Sequence, residues 1–406
     1  MAQKKLKPVP NKISISLIGY VILTFLGYSI IGLPLAILPI FINKILGYNA
    51  IISGLVISLQ YFTTFIMRGY AGTIVDKKGP KPAVLKSMIC FALSGVLLFV
   101  AYECRFAPVL SLSVLIITRL VTGCGEGMIG ASPINWAMLA VGDQHTGTAI
   151  SFNGIASYGG LAIGAPLGVL LEKYIGIEGV AIVIICVAIT GFIIAKRKKA
   201  YKNTIQENRQ SFMKVLKKVS SYGICLAIGG LGFGAISTFM TLYYDYMHWT
   251  NGALCLTVFG ATFILTRIVF NNAIKKYGGI KVSIASFIVE TLGLAIIAFA
   301  GDVWLTLVGA GITGIGFSLV FPALGVEAVK LVSASNKGSA LAAYGLFIDI
   351  SLGITGPLVG VVAEHWGMGK IYPFSMGIVF IGLLLSLLLK YNTRENNEQK
   401  DSILED

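Results

Sequence analysis

Arg119 and Glu126 are the side chains best placed to do chemistry in this chain. They stand seven residues apart inside one long apolar run, so on a helix they share nearly one face, about two turns apart. An arginine at mid-membrane costs about 2.5–3.5 kcal/mol on insertion scales, so it must face a partner or a cavity. Two readings are open: a structural ion pair that locks the helix to a neighbour, or a site for substrate charge or a proton. Asp349 lies about halfway along a later run, with Tyr344 and Ser351 nearby. A lone carboxylate there must be paired or protonated. Glu290 is a similar oddity, and Gln60, Asn153 and Tyr158 are candidates for polar lining.

These residues must be held by helices that cross a bilayer. The chain has 406 residues, 56% of them hydrophobic and 12% charged, with mean hydropathy +0.83. Soluble domains carry about twice that charged fraction. About twelve apolar runs approach 18–25 residues, the length that spans a membrane. Runs this long exclude the alternating pattern of barrel strands, and in hydrocarbon only helices remain. The expected fold is an all-α polytopic membrane protein.

The net charge of +14 does not mark a nucleic-acid binder, because its distribution follows the membrane. Of the 32 Lys and Arg, 25 fall in the termini and alternate loops of the amino-terminal side. Lys44, Arg105, Lys173 and Lys370 fall on the opposite side, and Arg68, Arg119 and Arg267 within or at the ends of helices. This positive-inside pattern predicts both termini in the cytoplasm and an even number of spans. Lys4, Lys5, Lys7 and Lys12 precede a first run too long for a signal peptide, which reads as a signal-anchor. The six cysteines show no paired spacing, and His145, His248 and His365 belong to no metal motif. No cofactor or metal is expected.

The runs place helix 1 at about 13–42, kinked by Pro34 and Pro39, and helix 2 at 50–70. Helices 3 to 6 follow at 82–102, 109–130, 148–171 and 179–195, with a polar connection around Asp143-Gln144-His145. Helices 7 to 12 follow at 222–246, 253–273, 282–300, 303–326, 339–362 and 372–389. The expected division is a first six-helix bundle (1–195), a basic cytoplasmic linker (196–219), a second bundle (220–390) and a disordered tail (391–406). The linker opens with Lys196-Arg197-Lys198-Lys199, which also suits anionic lipid headgroups.

The two bundles repeat one another. Arg68 stands eleven residues before Gly79, and Arg267 eleven before Gly278. Gly147 to Pro166 and Gly338 to Pro357 both span nineteen, with Ala149, Gly154 and Ile163 matching Ala340, Gly345 and Ile354. Asp76 faces Lys275 in this alignment. Paired landmarks of this kind mark a transporter built from parallel repeats.

The stretch from Met67 to Ala83 joins helices 2 and 3 and carries Arg68, Gly72, Asp76, Lys77, Gly79, Pro80 and Lys81. It resembles the signature loop between helices 2 and 3 of the major facilitator superfamily, with Pro80 where the family usually has an arginine. Arg119 with Gly123, Gly125 and Gly127 resembles that family's helix 4 motif. Gly164-Ala165-Pro166-Leu167-Gly168 resembles the helix 5 motif typical of its exporters, with Ala165 in place of a glycine. Longer strings, among them Gly32-Leu33-Pro34-Leu35-Ala36 and Gly316-Phe317-Ser318-Leu319-Val320, resemble the YhhS/YfcJ group of bacterial transporters within that superfamily.

The resemblance implies twelve helices in two pseudo-symmetric halves, in a bacterial cytoplasmic membrane. It implies a gating loop at Arg68, Gly72, Asp76, Lys77, Gly79 and Lys81. It implies an interface between the halves at Gly160, Gly164, Pro166, Gly168, Gly356 and Pro357. Helices 3, 6, 9 and 12 would be peripheral, which gives Glu290 a structural role. The expected function is proton-coupled efflux of a small organic molecule by a monomer. Import of a sugar or metabolite is the alternative. Arg119, Glu126 and Asp349 would carry the coupling, with Glu126 the first choice as proton carrier. An enzyme would need a clustered catalytic set, and none is present in the sequence. No phosphate-binding Gly-x-x-x-x-Gly-Lys-Ser/Thr loop occurs, so ATP is not the direct energy source.

Overall fold

The computed structural model describes residues 11–142, 146–201, 212–270, 272–332 and 337–405. Ten helices are long and apolar enough to cross a membrane. One of them, Thr146–Arg197, folds back at Gly176 and supplies two crossings, and the shorter Ala253–Val269 supplies one more. Twelve crossings result among the described residues. We label them α1 (Asn11–Leu35), α2 (Ala50–Lys78), α3 (Pro80–Glu103), α4 (Pro108–Ile129), α5 (146–175) and α6 (177–197). The second half comprises α7 (Phe212–Tyr246), α8 (Ala253–Val269), α9 (Gly279–Ala298), α10 (Val303–Lys330), α11 (Lys337–Trp366) and α12 (Ile371–Glu405). Residues 11 and 405 therefore lie on one side, here the terminal side; the other is the distal side.

Local chemistry sets the boundaries. Asn49 caps α2 by accepting from the Ile52 N–H at 3.0 Å, and Asp302 caps α10 by accepting from Leu305 at 2.8 Å. Gly79 has φ +83°, which ends α2, and Pro80 then opens α3 at the position where its missing N–H costs nothing. Gly278 has the same φ between α8 and α9. Pro34 ends the first segment of helix 1, which continues as Leu38–Ile40 and a π turn, Phe41–Ile45.

Three boundaries differ from the sequence reading. Helix 2 runs to Lys78 rather than Tyr70, so Gly72 and Lys77 are helical and the link to α3 is Gly79 alone. Nothing between Tyr70 and Gly79 is strong enough to stop a helix; an isolated glycine costs only about 1 kcal/mol. Helix 7 begins at Phe212, which brings Lys214, Lys217 and Lys218 of the linker into its first turns. α12 continues to Glu405 through the segment expected to be disordered, which contains no Gly or Pro. The polar connection at 143–145 lies outside the described residues.

Each half has its own apolar core. One is built around Phe91, Leu115, Ile129 and Trp136, the other around Phe239, Phe259, Phe287 and Phe317. The repeat is carried into the packing. A Cβ at Gly123 in α4 would meet the Gln60 carbonyl of α2, and one at Gly314 in α10 would meet the Phe259 carbonyl of α8. The halves meet along two seams, α2 with α11 and α5 with α8.

Candidate functional site

The α2–α11 seam is closest toward the distal side. A Cβ at Gly54 would collide with the Gly356 carbonyl, and one at Gly360 would lie 3.0 Å from the Ile51 Cα. Two facing glycines let the backbones touch as no larger pair could. At the distal surface, Lys44 Nζ lies 2.8 Å from Asp245 Oδ2, an exposed ion pair between the halves.

Deeper along the same seam, Arg68 of α2 meets Asp349 of α11. Arg68 Nη2 donates to Asp349 Oδ1 at 2.9 Å, and Nε faces Oδ2, so the pair is bidentate. The Asp349 side chain is only 3% exposed and that of Arg68 is 23% exposed. Removing one partner of a buried pair costs about 3–5 kcal/mol, because a charge is left uncompensated.

The α5–α8 seam is the counterpart of this one. The repeat puts Tyr158 at the place of Asp349 and Arg267 at the place of Arg68. Arg267 reaches α5 at Gly154, and its guanidinium lies 4.8 Å over the Phe263 ring. Tyr158 stacks on that ring at 3.9 Å and meets Phe233 and Phe317 at 5.7 and 6.2 Å. Arg267 Nε also donates to the Ser318 carbonyl at 3.3 Å. That is the carbonyl left without a helical N–H by Pro322 four residues on.

The profile of the Major Facilitator Superfamily matches residues 20–256 and 251–405. An uncharacterised MFS-type transporter of Pseudomonas aeruginosa (strain UCBPP-PA14) is 45% identical over 384 residues, covering 95% of each chain. A relative of the same description from Burkholderia mallei (strain SAVP1) is 43% identical over 376 residues, covering 93% of this chain and 92% of its own. The chain belongs to the major facilitator superfamily. Two crystal structures of the nucleoside transporter NupG share the fold. The D323A mutant gives a TM-score of 0.74 at 15% identity, covering 92% of this chain and 99% of that one. The other gives 0.71 at 17%, covering 92% and 98%. Membership makes this a multi-pass membrane transporter rather than an enzyme.

Within the superfamily fold, the predicted site residues fall into separate places. Glu126 does not pair with Arg119. They stand two helical turns apart, about 10 Å between backbones, and the Glu126 carboxylate turns to α2. Glu126 instead accepts from Gln60 Nε2 at 2.7 Å and Thr64 Oγ1 at 3.0 Å, both on α2. Arg119 is 2% exposed, and its Nε has no hydrogen-bond partner. It borders a cavity of about 10 Å³ with Ile30 and Pro34 of α1, Ser94 and Leu98 of α3 and Ile184 of α6. That volume is near one water, a fitting partner for an unmatched donor.

Asn153 does not offer its amide to a central path. Its oxygen accepts from Thr24 at 2.8 Å and its nitrogen donates to the Gly130 carbonyl at 3.3 Å, both in its own half. Tyr344 is fully buried and donates to the Phe321 carbonyl at 3.1 Å, bracing α11 against α10. Gly160, Gly164 and Gly168 pack on α1, against Phe25, Ser29 and Leu33. They serve the inside of the first half, not the interface between halves. Contact with the second half comes from Ala162, which faces Gly260. Gly356 does lie on the interface, and Pro166 and Pro357 both fall within their helices.

The signature stretch works mainly within its own half. Lys81 Nζ donates to the carbonyls of Lys196 and Lys198, at 2.8 and 2.6 Å, and so caps the end of α6. Lys198 Nζ lies 4.3 Å over the Tyr20 ring, and partial burial there lowers its pKa below that of an ordinary lysine. The Asp76 side chain lies outside the described residues. Sequence reasoning placed Arg68 in the gating loop and missed its pairing with Asp349. The available signal was that Arg68 is the only charged residue between Ala50 and Val75.

Proposed function

We propose that this transporter is a proton-coupled exporter of a small organic molecule, and that the Arg68–Asp349 pair is the latch whose protonation drives alternating access. The observation that carries this reading is the bidentate contact of a buried carboxylate in one half with an arginine in the other. Protonation of Asp349 removes one charge of the pair and frees Arg68. The helices α2 and α11 then lose their strongest contact on the terminal side, while the Gly54–Gly356 contact remains as a pivot.

The positive-inside distribution supports a terminal side in the cytoplasm of a bacterial inner membrane. A proton arriving from outside neutralises Asp349 and opens the cytoplasmic side. Loss of that proton to the cytoplasm restores the carboxylate, and the latch recloses with substrate held between the halves. One proton moved through 100 mV supplies about 2.3 kcal/mol, roughly a 50-fold accumulation. Glu126 is less suited to this role than the sequence suggested. Its partners, Gln60 and Thr64, are neutral and belong to its own half, so its protonation breaks no contact between halves. Tyr158 and Gln60 remain as candidate substrate contacts, in a unit that works as a monomer, whereas Arg119 is enclosed within the first half.

Everted membrane vesicles carrying the protein test this. After respiration acidifies the lumen, addition of a transported compound is expected to dissipate the pH gradient with the wild-type protein and not with Asp349→Asn. Gradient-driven movement of a compound out of the lumen assigns import instead. Transport that persists unchanged when the pH gradient is collapsed overturns proton coupling.

A further inference from the structure

Glu290 lies near the middle of α9, fully buried, and neither carboxyl oxygen has a hydrogen-bond partner. Glycines make room for it on two sides. A Cβ at Gly232 of α7 would stand 2.7 Å from Oε1, and one at Gly229 would stand 3.5 Å from Oε2. On α10, a Cβ at Gly316 would strike the Glu290 backbone. Leu294, Phe287 and Val379 of α12 complete the surroundings.

Among the described residues no cation faces this carboxyl. Between Val303 and Val326, α10 has no titratable side chain. The nearest on α7 is Cys225, one turn from Gly229, and α12 has only Tyr372 and Lys390 at its two ends before the tail. On α9 itself the only other one is Lys281, in the first turn. Across the aromatic cluster, Tyr158 of the first half is the remaining group within electrostatic reach.

The first half shows what the packing alone requires. The repeat that matches Arg68 with Arg267 matches Phe91 with Glu290. Phe91 is fully buried, and Cβ atoms at Gly27 and Gly125 would press on its ring at 3.2 and 2.7 Å. An apolar filler therefore satisfies this position, and the second half places an ionisable group there instead. A buried carboxylate without partners cannot hold its charge in such surroundings. α7 separates Glu290 from α11, since Gly230 and Gly234 on its other face meet Ser351 and Thr355. Any movement of α7 with α11 thus changes the seal over Glu290.

We propose that Glu290 is a second proton-binding site, confined to the carboxy-terminal half: its carboxyl is protonated while Gly229 and Gly232 seal it, and exchanges when α7 moves away. The site shares no residue with the latch, and its test needs no substrate. Infrared spectra of the purified full-length protein near pH 7 are expected to show a protonated carboxyl band. That band is expected to persist in Asp349→Asn and to disappear when Glu290→Gln is added. Thermal unfolding gives a second readout. The folded state holds one proton that the unfolded chain releases, so above the ordinary carboxylate range folding should weaken about tenfold more per pH unit with Glu290 than with Glu290→Gln or Glu290→Leu. The Leu variant supplies an apolar filler should the Gln variant fold poorly. A band that survives Glu290→Gln in the Asp349→Asn background, or a pH slope equal in all three proteins, overturns the proposal.

Discussion

Tyr158 holds the place in α5 that Asp349 holds in α11. Each faces the arginine of the opposite half's second helix, Arg267 for Tyr158 and Arg68 for Asp349. The architecture is symmetric and the chemistry is not. One seam is closed by a charge pair that a proton can break, the other by stacked rings and a guanidinium on an aromatic face. A cation over a ring contributes about 0.5–2 kcal/mol and does not depend on a titrating partner. In the proposed mechanism the α2–α11 seam is therefore the one that responds to protons.

Arg68 and Asp349 act as a unit. Arg68→Gln leaves the buried Asp349 charge alone and should destabilise the protein by about 3–5 kcal/mol, and Asp349→Asn should cost less because Arg68 is partly exposed. The double variant should recover about 1–3 kcal/mol relative to the sum of the two. Denaturation of the four purified proteins gives the coupling directly, and strictly additive losses would contradict the pairing.

Glu126→Gln should retain most of the transport and the wild-type pH response. A glutamine oxygen can still accept from Gln60 and Thr64. Gln60→Ala should be more harmful, since it strips the shorter of the two bonds from a carboxylate that is only 5% exposed. Vesicle assays of both variants at two pH values check this. Loss of pH-driven transport in Glu126→Gln would return the proton to α4.

Gly54→Ala should favour opening on the distal side. Its new methyl group meets the Gly356 carbonyl only when the halves touch there. Overpacking of this kind costs about 1–3 kcal/mol, which shifts a two-state equilibrium by roughly 5- to 150-fold. The measurement is water accessibility of a cysteine placed by Leu352→Cys, next to the Ser58 contact. Unchanged labelling in Gly54→Ala would remove this contact from the pivot.

Gly79→Ala and Gly278→Ala should each cost about 1–2 kcal/mol, because both glycines sit at φ +83°. Gly72→Ala should be harmless or stabilising, since Gly72 is helical and nothing crowds it. Thermal unfolding of the three variants separates these cases. Equal stability for Gly79→Ala and Gly72→Ala would contradict the role of the link.

The fold was largely legible because long apolar runs and paired glycines speak locally. The site was legible only in part. Asp349 was visible as a carboxylate with no local partner, but its partner lies 281 residues away and is fixed by how two helices meet. The spacing of Gly160, Gly164 and Gly168 announced close packing without saying against which helix. Arg119 and Glu126 were visible as two charges on one helix face, but the partners Gln60 and Thr64 that Glu126 takes on α2 were not.

In the proposed mechanism a proton at Asp349 parts the halves on the terminal side. Spin labels at Lys77 and Lys276 report this most directly, because both are exposed near the terminal end of the two halves. The distance between them is expected to lengthen as pH falls in the otherwise wild-type protein, and to stay long at every pH in Asp349→Asn. A distance distribution that is the same at every pH, and the same in Asp349→Asn, would contradict the account.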